Sequence, residues 1–170
     1  PGAFTGVRMA IGIVQGLAFA WNKKVMPVSS LACLAQQCCD ENKSEQYVAV
    51  VQDARMGDVY WAVYALKDGA VTEVVKEALS KPEQLNFPEH SELLCVGSGI
   101  GLLNKIMLDG YSGKLTMNDQ LCYPSADSVL TLAQSQFDGG AQPIDAMALE
   151  PTYLRNNVAK KPQNKKKRSN

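Results

Sequence analysis

Three short stretches of this 170-residue chain combine residue types and spacings that can do chemistry. Asp53-Ala54-Arg55-Met56-Gly57-Asp58-Val59-Tyr60 places a carboxylate and a guanidinium two residues apart at a turn. Such a pair serves either as a catalytic couple or as a local structural pair, worth ~0–1 kcal/mol when exposed. The structural reading is preferred here, with Gly57 supplying the positive φ that the turn needs. Gly97-Ser98-Gly99-Ile100-Gly101 follows the apolar run Glu92–Val96 and precedes a helical pattern around Leu102, Leu103, Ile106 and Met107. Strand, glycine loop and helix form a phosphate-binding arrangement; the same order is also how any strand turns into a helix in an α/β layer. No Lys, Asp or Thr follows in a nucleotide-binding spacing, and the segment departs from the Gly-x-Ser-x-Gly elbow of hydrolases. At the start of the chain, Gly2, Thr5 and Gly6 mark a possible nucleotide-contact loop, with Thr5 placed to cap the helix behind it. It is not a P-loop, because no Lys-Ser or Lys-Thr follows Gly6.

The rest of the chemical inventory is sparse. His90 is the one histidine, so a zinc site or histidine-based triad lacks partners. The sequence has no His-Glu-x-x-His motif and no nucleophile beside a base, so no catalytic residue and no metal site is assigned. Five cysteines without ligand spacing read as free thiols of a reducing cytosol. No stretch reads as a membrane span, and a cytoplasmic location is expected. The formal net charge of zero conceals a division. Lys160, Lys161, Lys165, Lys166, Lys167 and Arg168 leave an acidic body, which does not resemble a nucleic-acid surface. The tail at 160–170 reads as solvated and disordered, with contact to RNA phosphate as its alternative role.

The elements that must position these residues follow from periodicity. Gly6 to Trp21 is an uninterrupted helical stretch, apolar nearly all round. Met9, Gly12, Ile13, Gly16 and Ala20 form one face; Val7, Ile11, Val14, Ala18 and Trp21 form the other. Only Arg8 and Gln15 break the apolar surface, along one stripe. A helix of this kind needs cover on two sides. Gly12 and Gly16, four apart, either pack on a strand of the same chain or allow a second helix to approach closely. Each costs about 1 kcal/mol of helix propensity against alanine. Val25–Val28 reads as a short strand, and Ser29 or Ser30 caps a second helix through Leu31, Leu34, Ala35 and Cys38. The charged stretch 40–45 reads as a domain boundary. Residues 47–79 form a three-stranded meander whose second turn carries Asp68-Gly69, a strong hairpin signal. Pro82 opens a helical turn, Glu92–Val96 is a buried strand, and Ser125 to Ser128 start a helix that Gly139-Gly140 ends.

Three segments in order carry a resemblance. Pro1-Gly2-Ala3-Phe4-Thr5-Gly6-Val7-Arg8 with its glycine- and alanine-rich helix, Asp53 to Tyr60, and Glu150-Pro151-Thr152-Tyr153-Leu154-Arg155 resemble the bacterial TsaB (YeaZ) family. The resemblance implies an α/β fold of the actin/Hsp70/sugar-kinase type (ASKHA), with two lobes. It also implies that the first lobe is truncated, lacking its opening strands and first helix. Residues 1–43 would then be the remainder of lobe one, and 44–159 would be lobe two with a closing segment. With strands missing, the opening helix would expose apolar surface, and the chain alone would be weakly stable or self-associate, for instance as a homodimer.

Functionally, the resemblance implies a non-catalytic scaffold that pairs with TsaD, a homologous subunit. That complex, with TsaE and the product of TsaC, transfers threonylcarbamoyl to adenosine 37 of tRNAs reading ANN codons. ATP or ADP and metal are expected on partner subunits, and none on this chain. The TsaD-facing residues carried over are Phe4, Arg8, Met9, Gly12, Ile13 and Gly16. Asp53, Arg55, Gly57, Tyr60, Tyr153 and Arg155 are structural motif residues, with Tyr153 and Leu154 anchoring the chain end on the body. A protease-like enzyme, following older descriptions of the family, and a nucleotide-binding ASKHA protein are the alternatives.

Overall fold

The computed structural model describes residues 1–2, 4–39, 46–89, 92–103 and 111–155. The expected boundary at 40–45, His90, Ile106 and Met107, the end of the closing segment and the basic tail lie outside these residues, as does the side chain of Phe4.

A five-stranded sheet forms the centre. Its strands are β1 (Gln46–Arg55), β2 (Asp58–Lys67), β3 (Ala70–Ser80), β4 (Glu92–Val96) and β5 (Lys114–Asn118), in the order β3-β2-β1-β4-β5. The first three are antiparallel neighbours, while β4 and β5 run parallel to β1. Both hairpins rest on positive-φ pairs, Met56 with Gly57 (φ 59° and 73°) and Asp68 with Gly69 (φ 51° and 76°). That backbone twist matches the twist of the strands it joins. Strand β5 was not anticipated. Its alternation is weak, and it is a mostly exposed edge.

The alternating side chains of β1 and β2 supply two cores. Val48, Val50, Ala62, Tyr64 and Leu66 face one side; Ala49, Val51, Val59, Trp61 and Val63 face the other. The first side is covered by helices α2 (Ser30–Gln36) and α3 (Ala126–Asp138), contributing Leu31, Ala32, Cys33, Leu34, Ala35 and Leu132. The second is covered by Leu85, Phe87, Ile100, Leu103 and Tyr111. Trp61 and Phe87 meet edge to face, with ring centroids 5.9 Å apart. Ser29 caps α2, accepting from the Leu31 and Ala32 amides at 3.1 and 3.4 Å. Ser125 caps α3 through the Ser128 amide at 3.2 Å, and Gly140 follows that helix at φ 93°. The Ser29 hydroxyl also donates to Glu77 Oε1, and Tyr64 donates to the same oxygen at 2.8 Å. This ties the start of α2 to β2 and β3. Helix α2, grouped above with the first lobe, thus shares a core with the sheet.

Helix α1 (Phe4–Ala20) stands apart from the sheet. It packs on a 3-10 turn at Ala146–Ala148, and a single bridge joins Val25 to Ile144 just beyond its end. Its more sheltered positions are Val7, Ile11, Gln15 and Ala18.

Four local expectations need correction. The helix starts at Phe4, so Thr5 and Gly6 lie inside its first turn and Thr5 is not its cap. Val25 pairs alone, and Val25–Val28 is not a strand, because Pro27 has no N–H to continue a ladder. Helix α2 stops at Gln36, leaving Cys38 in a following turn. After Gly99 the chain makes a 3-10 turn, Ile100–Leu102, with Leu103 extended, so Leu102 and Leu103 are not in an α-helix, and the Ile106 and Met107 part of that expectation lies outside the described residues.

Candidate functional site

Three sets of residues were singled out above, and the structure places them in different settings. The glycine segment 97–101 is occupied by its own fold. Gly97 has φ 117°, and a Cβ there would fall 2.2 Å from the Val51 carbonyl oxygen. Gly99 donates its N–H to that same oxygen at 2.9 Å. The Ser98 hydroxyl donates to Gln52 Oε1 at 2.6 Å and accepts from the Asp53 amide at 3.2 Å. The glycines therefore allow β1 and the turn after β4 to approach closely, and the serine staples them.

The opening segment is not a glycine loop. Gly2 precedes the helix, Thr5 and Gly6 are part of it, and neither glycine has a positive φ. A side chain on Gly2 would meet the Val7 side chain at 2.9 Å.

Asp53 and Arg55 form a local pair at the β1–β2 hairpin. The carboxylate accepts from the Arg55 amide at 2.7 Å and from its guanidinium at 3.1 Å. The Arg55 side chain is otherwise 86 % exposed. Tyr60 is partly buried against the α2 side of the sheet.

Beneath the hairpin lies an ion cluster that sequence reasoning missed. Asp58 accepts from Lys81 at 2.6 Å through one oxygen and from Arg155 at 2.8 Å through the other. The same Arg155 nitrogen reaches the carbonyls of Ala54 and Arg55, each at 3.2 Å. Lys81 also reaches the carbonyls of Met56 and Gly57. The hydrogen bond from Lys81, then the charges of Lys81 and Arg155, hold the Asp58 carboxyl below its usual range. Only the side chains' presence was visible in the sequence, since the three come from distant segments.

Three of the five thiols are unsuited to nucleophilic work. Burial pushes Cys33 up to about 11 and Cys95 up to about 12. Burial and the neighbouring Cys39 push Cys38 up to about 12. No cluster of metal-binding residues occurs among the described residues. Among them, too, no helix is long and apolar enough to cross a membrane.

The remaining feature is the face of α1. Met9 is 63 % exposed and Ile13 58 %, and a Cβ on Gly12 or Gly16 would meet no atom within 4 Å. The four residues lie on one side of the helix, three to four positions apart. Among the described residues, then, the two glycines pack on no strand of this chain. The polar stripe, by contrast, faces the protein. Gln15 donates to the Leu149 carbonyl at 3.1 Å. Arg8 donates to the Tyr153 hydroxyl at 2.8 Å and lies 5.5 Å from that ring's centroid. Arg8 is thus turned towards the closing segment.

Comparison with known proteins places this architecture. The chain is 36 % identical over 163 residues to the tRNA threonylcarbamoyladenosine biosynthesis protein TsaB of Escherichia coli, covering 94 % of this chain and 69 % of that protein. It is 32 % identical over 167 residues to the protein of the same name from Haemophilus influenzae, covering 93 % and 68 %. The chain belongs to the TsaB family. The family model described as TsaD, tRNA N6-adenosine threonylcarbamoyltransferase, matches residues 1–163. A solved structure of YeaZ from Pseudomonas aeruginosa superposes with a TM-score of 0.77 at 37 % identity, over 90 % of this chain and 71 % of that one. A second Pseudomonas aeruginosa structure, described as similar to peptidase YEAZ, gives the same score and identity over 91 % and 70 %. The α/β fold is thus that of TsaB and of the wider ASKHA class.

Proposed function

We propose that this TsaB-family chain acts in threonylcarbamoyladenosine synthesis as a non-catalytic scaffold subunit that pairs with TsaD. The complex, assisted by TsaE, modifies adenosine 37 of tRNAs that read ANN codons. The observation that carries this reading is the open face of α1. Met9, Gly12, Ile13 and Gly16 offer apolar side chains around two places where another helix can come close, and nothing in the described chain covers them. A monomer that exposes such a face has a surface built for a partner.

The chemistry of the rest of the chain supports a scaffold over an enzyme. Ser98 is committed to Gln52 and Asp53, the buried thiols are held protonated, and Asp58 is neutralised by two cations. Nucleotide and metal belong to the partner subunits, tRNA is reached through the complex, and the setting is the cytoplasm. In the absence of TsaD the same face favours self-association into a homodimer.

The test is calorimetric titration of TsaD into the full-length protein, wild type beside Gly12→Leu and Gly16→Leu. Wild type is expected to bind, and each leucine is expected to weaken binding at least about tenfold by preventing close helix approach. Undiminished binding by both variants moves the interface off α1. A well-folded wild type that does not bind TsaD sinks the scaffold reading.

A further inference from the structure

Helix α1 has to be held in place although, among its described residues, only Ala18 is fully buried. Its described contacts concentrate on a stretch of irregular chain between Ile144 and Tyr153. The turn at Ala146–Ala148 packs on it, the Leu149 carbonyl receives Gln15, and Tyr153 receives Arg8. Among the described residues no ladder joins that stretch to the sheet, and its bridge of Ile144 to Val25 lies outside the sheet. Its far end is secured by Arg155. This guanidinium is only 16 % exposed and engages the Asp58 carboxylate together with the Ala54 and Arg55 carbonyls of the β1–β2 hairpin.

Tyr153 and Arg155 are two residues apart, and they bind opposite parts of the molecule. One holds α1, and the other holds the sheet. We propose that residues 151–155 are a two-ended clasp that sets the pose of α1 on the body, with Tyr153 as its helix end and Arg155 as its sheet end. Arg155 is then a positioning residue for the partner face, although it lies on the hairpin and touches no residue of that face. Asp58, held from the other side by Lys81 at 2.6 Å, is the fixed post to which the clasp is tied. All three oxygen contacts come from Nη2, while Nη1 lies 3.8 Å from the Met56 sulfur, so the guanidinium engages the hairpin through both of its terminal nitrogens. The inference rests on the proposed role of α1 only for its consequence in partner binding. The clasp itself is testable without a partner.

The experiment is hydrogen exchange on the full-length protein, free of TsaD, with amides followed separately in α1, in the hairpin and in β1, β2 and β4. Arg155→Ala is expected to speed exchange in α1 at least about tenfold while the central strands keep their protection. Arg155→Lys, which keeps the charge but loses the second nitrogen lying against Met56, is expected to restore only part of it. Tyr153→Ala removes the other end, so it should loosen α1 and leave the hairpin unchanged. Should Arg155→Ala fail to fold, Tyr153→Ala carries the test alone. Loosening of the hairpin in Arg155→Ala with α1 unchanged, or an unchanged α1 in Tyr153→Ala, overturns the clasp. With exchange shifted as expected, TsaD affinity of Tyr153→Ala should fall several-fold. Loosened α1 with full affinity retains the clasp and instead refutes α1 as the docking face.

Discussion

Helices α1 and α2 follow one another in the chain and are both rich in apolar residues, yet they meet opposite surroundings. In α2 five consecutive residues, Leu31 to Ala35, are buried between the sheet and α3. In α1, among residues described, Ala18 alone is fully buried, while Phe19 and Trp21 near its end are 78 % and 67 % exposed. The difference does not lie in how apolar the two are. Helix α2 is seven residues long and its cap is tied through Ser29 to Glu77, so every turn falls over the apolar face of β1 and β2. Helix α1 turns Arg8 and Gln15 towards the closing segment, and its apolar side is left over. Apolarity states that a helix requires cover; it does not state from where.

The largest effects should separate these helices by stability. Leu34→Ala removes a side chain with no exposed surface and is expected to cost about 2–5 kcal/mol. Ile13→Ala on α1 should stay within about 0.5 kcal/mol for the protein alone. Urea denaturation of both variants checks the contrast, and a comparable loss from the two would break it. A smaller contrast lies in the glycines. Gly97→Ala must place a methyl against the Val51 carbonyl at φ 117° and should cost roughly 3 kcal/mol. Gly12→Ala meets open space and should stabilise the protein by up to about 1 kcal/mol through helix propensity. Opposite shifts of the thermal midpoint are the expected reading.

The smallest effect concerns pH. The Asp58 carboxyl lies lower when folded than when unfolded, because Lys81 and Arg155 favour its charged form. Its contribution is therefore complete above the ordinary carboxylate value of about 3.9 and is lost as pH falls through the lower, folded value. Asp58→Asn should be less stable than wild type above that range, with the gap closing in acid. Urea midpoints measured across the acid range test this, and a gap that stays constant would remove Asp58 from the account.

Much of the local structure was legible because the chemistry that produces it is local. Asp68-Gly69 and Gly57 specify their hairpins through backbone freedom, and Ser29 and Ser125 cap helices through a hydroxyl within reach of the next amides. Thr5 misled for the same reason. Its type suits a cap, but the helix begins one residue earlier. Strand β5 was missed because an exposed edge strand carries little apolar alternation. Against the phosphate-loop reading of 97–101 the sequence offered only the lack of a following Lys, Asp or Thr; that the space is filled shows only in the Val51 carbonyl, from another strand.

By itself, then, the sequence determined the family through three ordered motifs, the turns and caps through residue type, and an opening helix too apolar to stand in water unaccompanied. The tertiary structure decided which side of that helix is spent on the chain's own closing segment. It also decided that Asp58 would sit between Lys81 and Arg155, and that α2 would cover the sheet. These are contacts between residues far apart along the chain. They depend on how the backbone returns through space, and the pattern around any one residue does not encode that path.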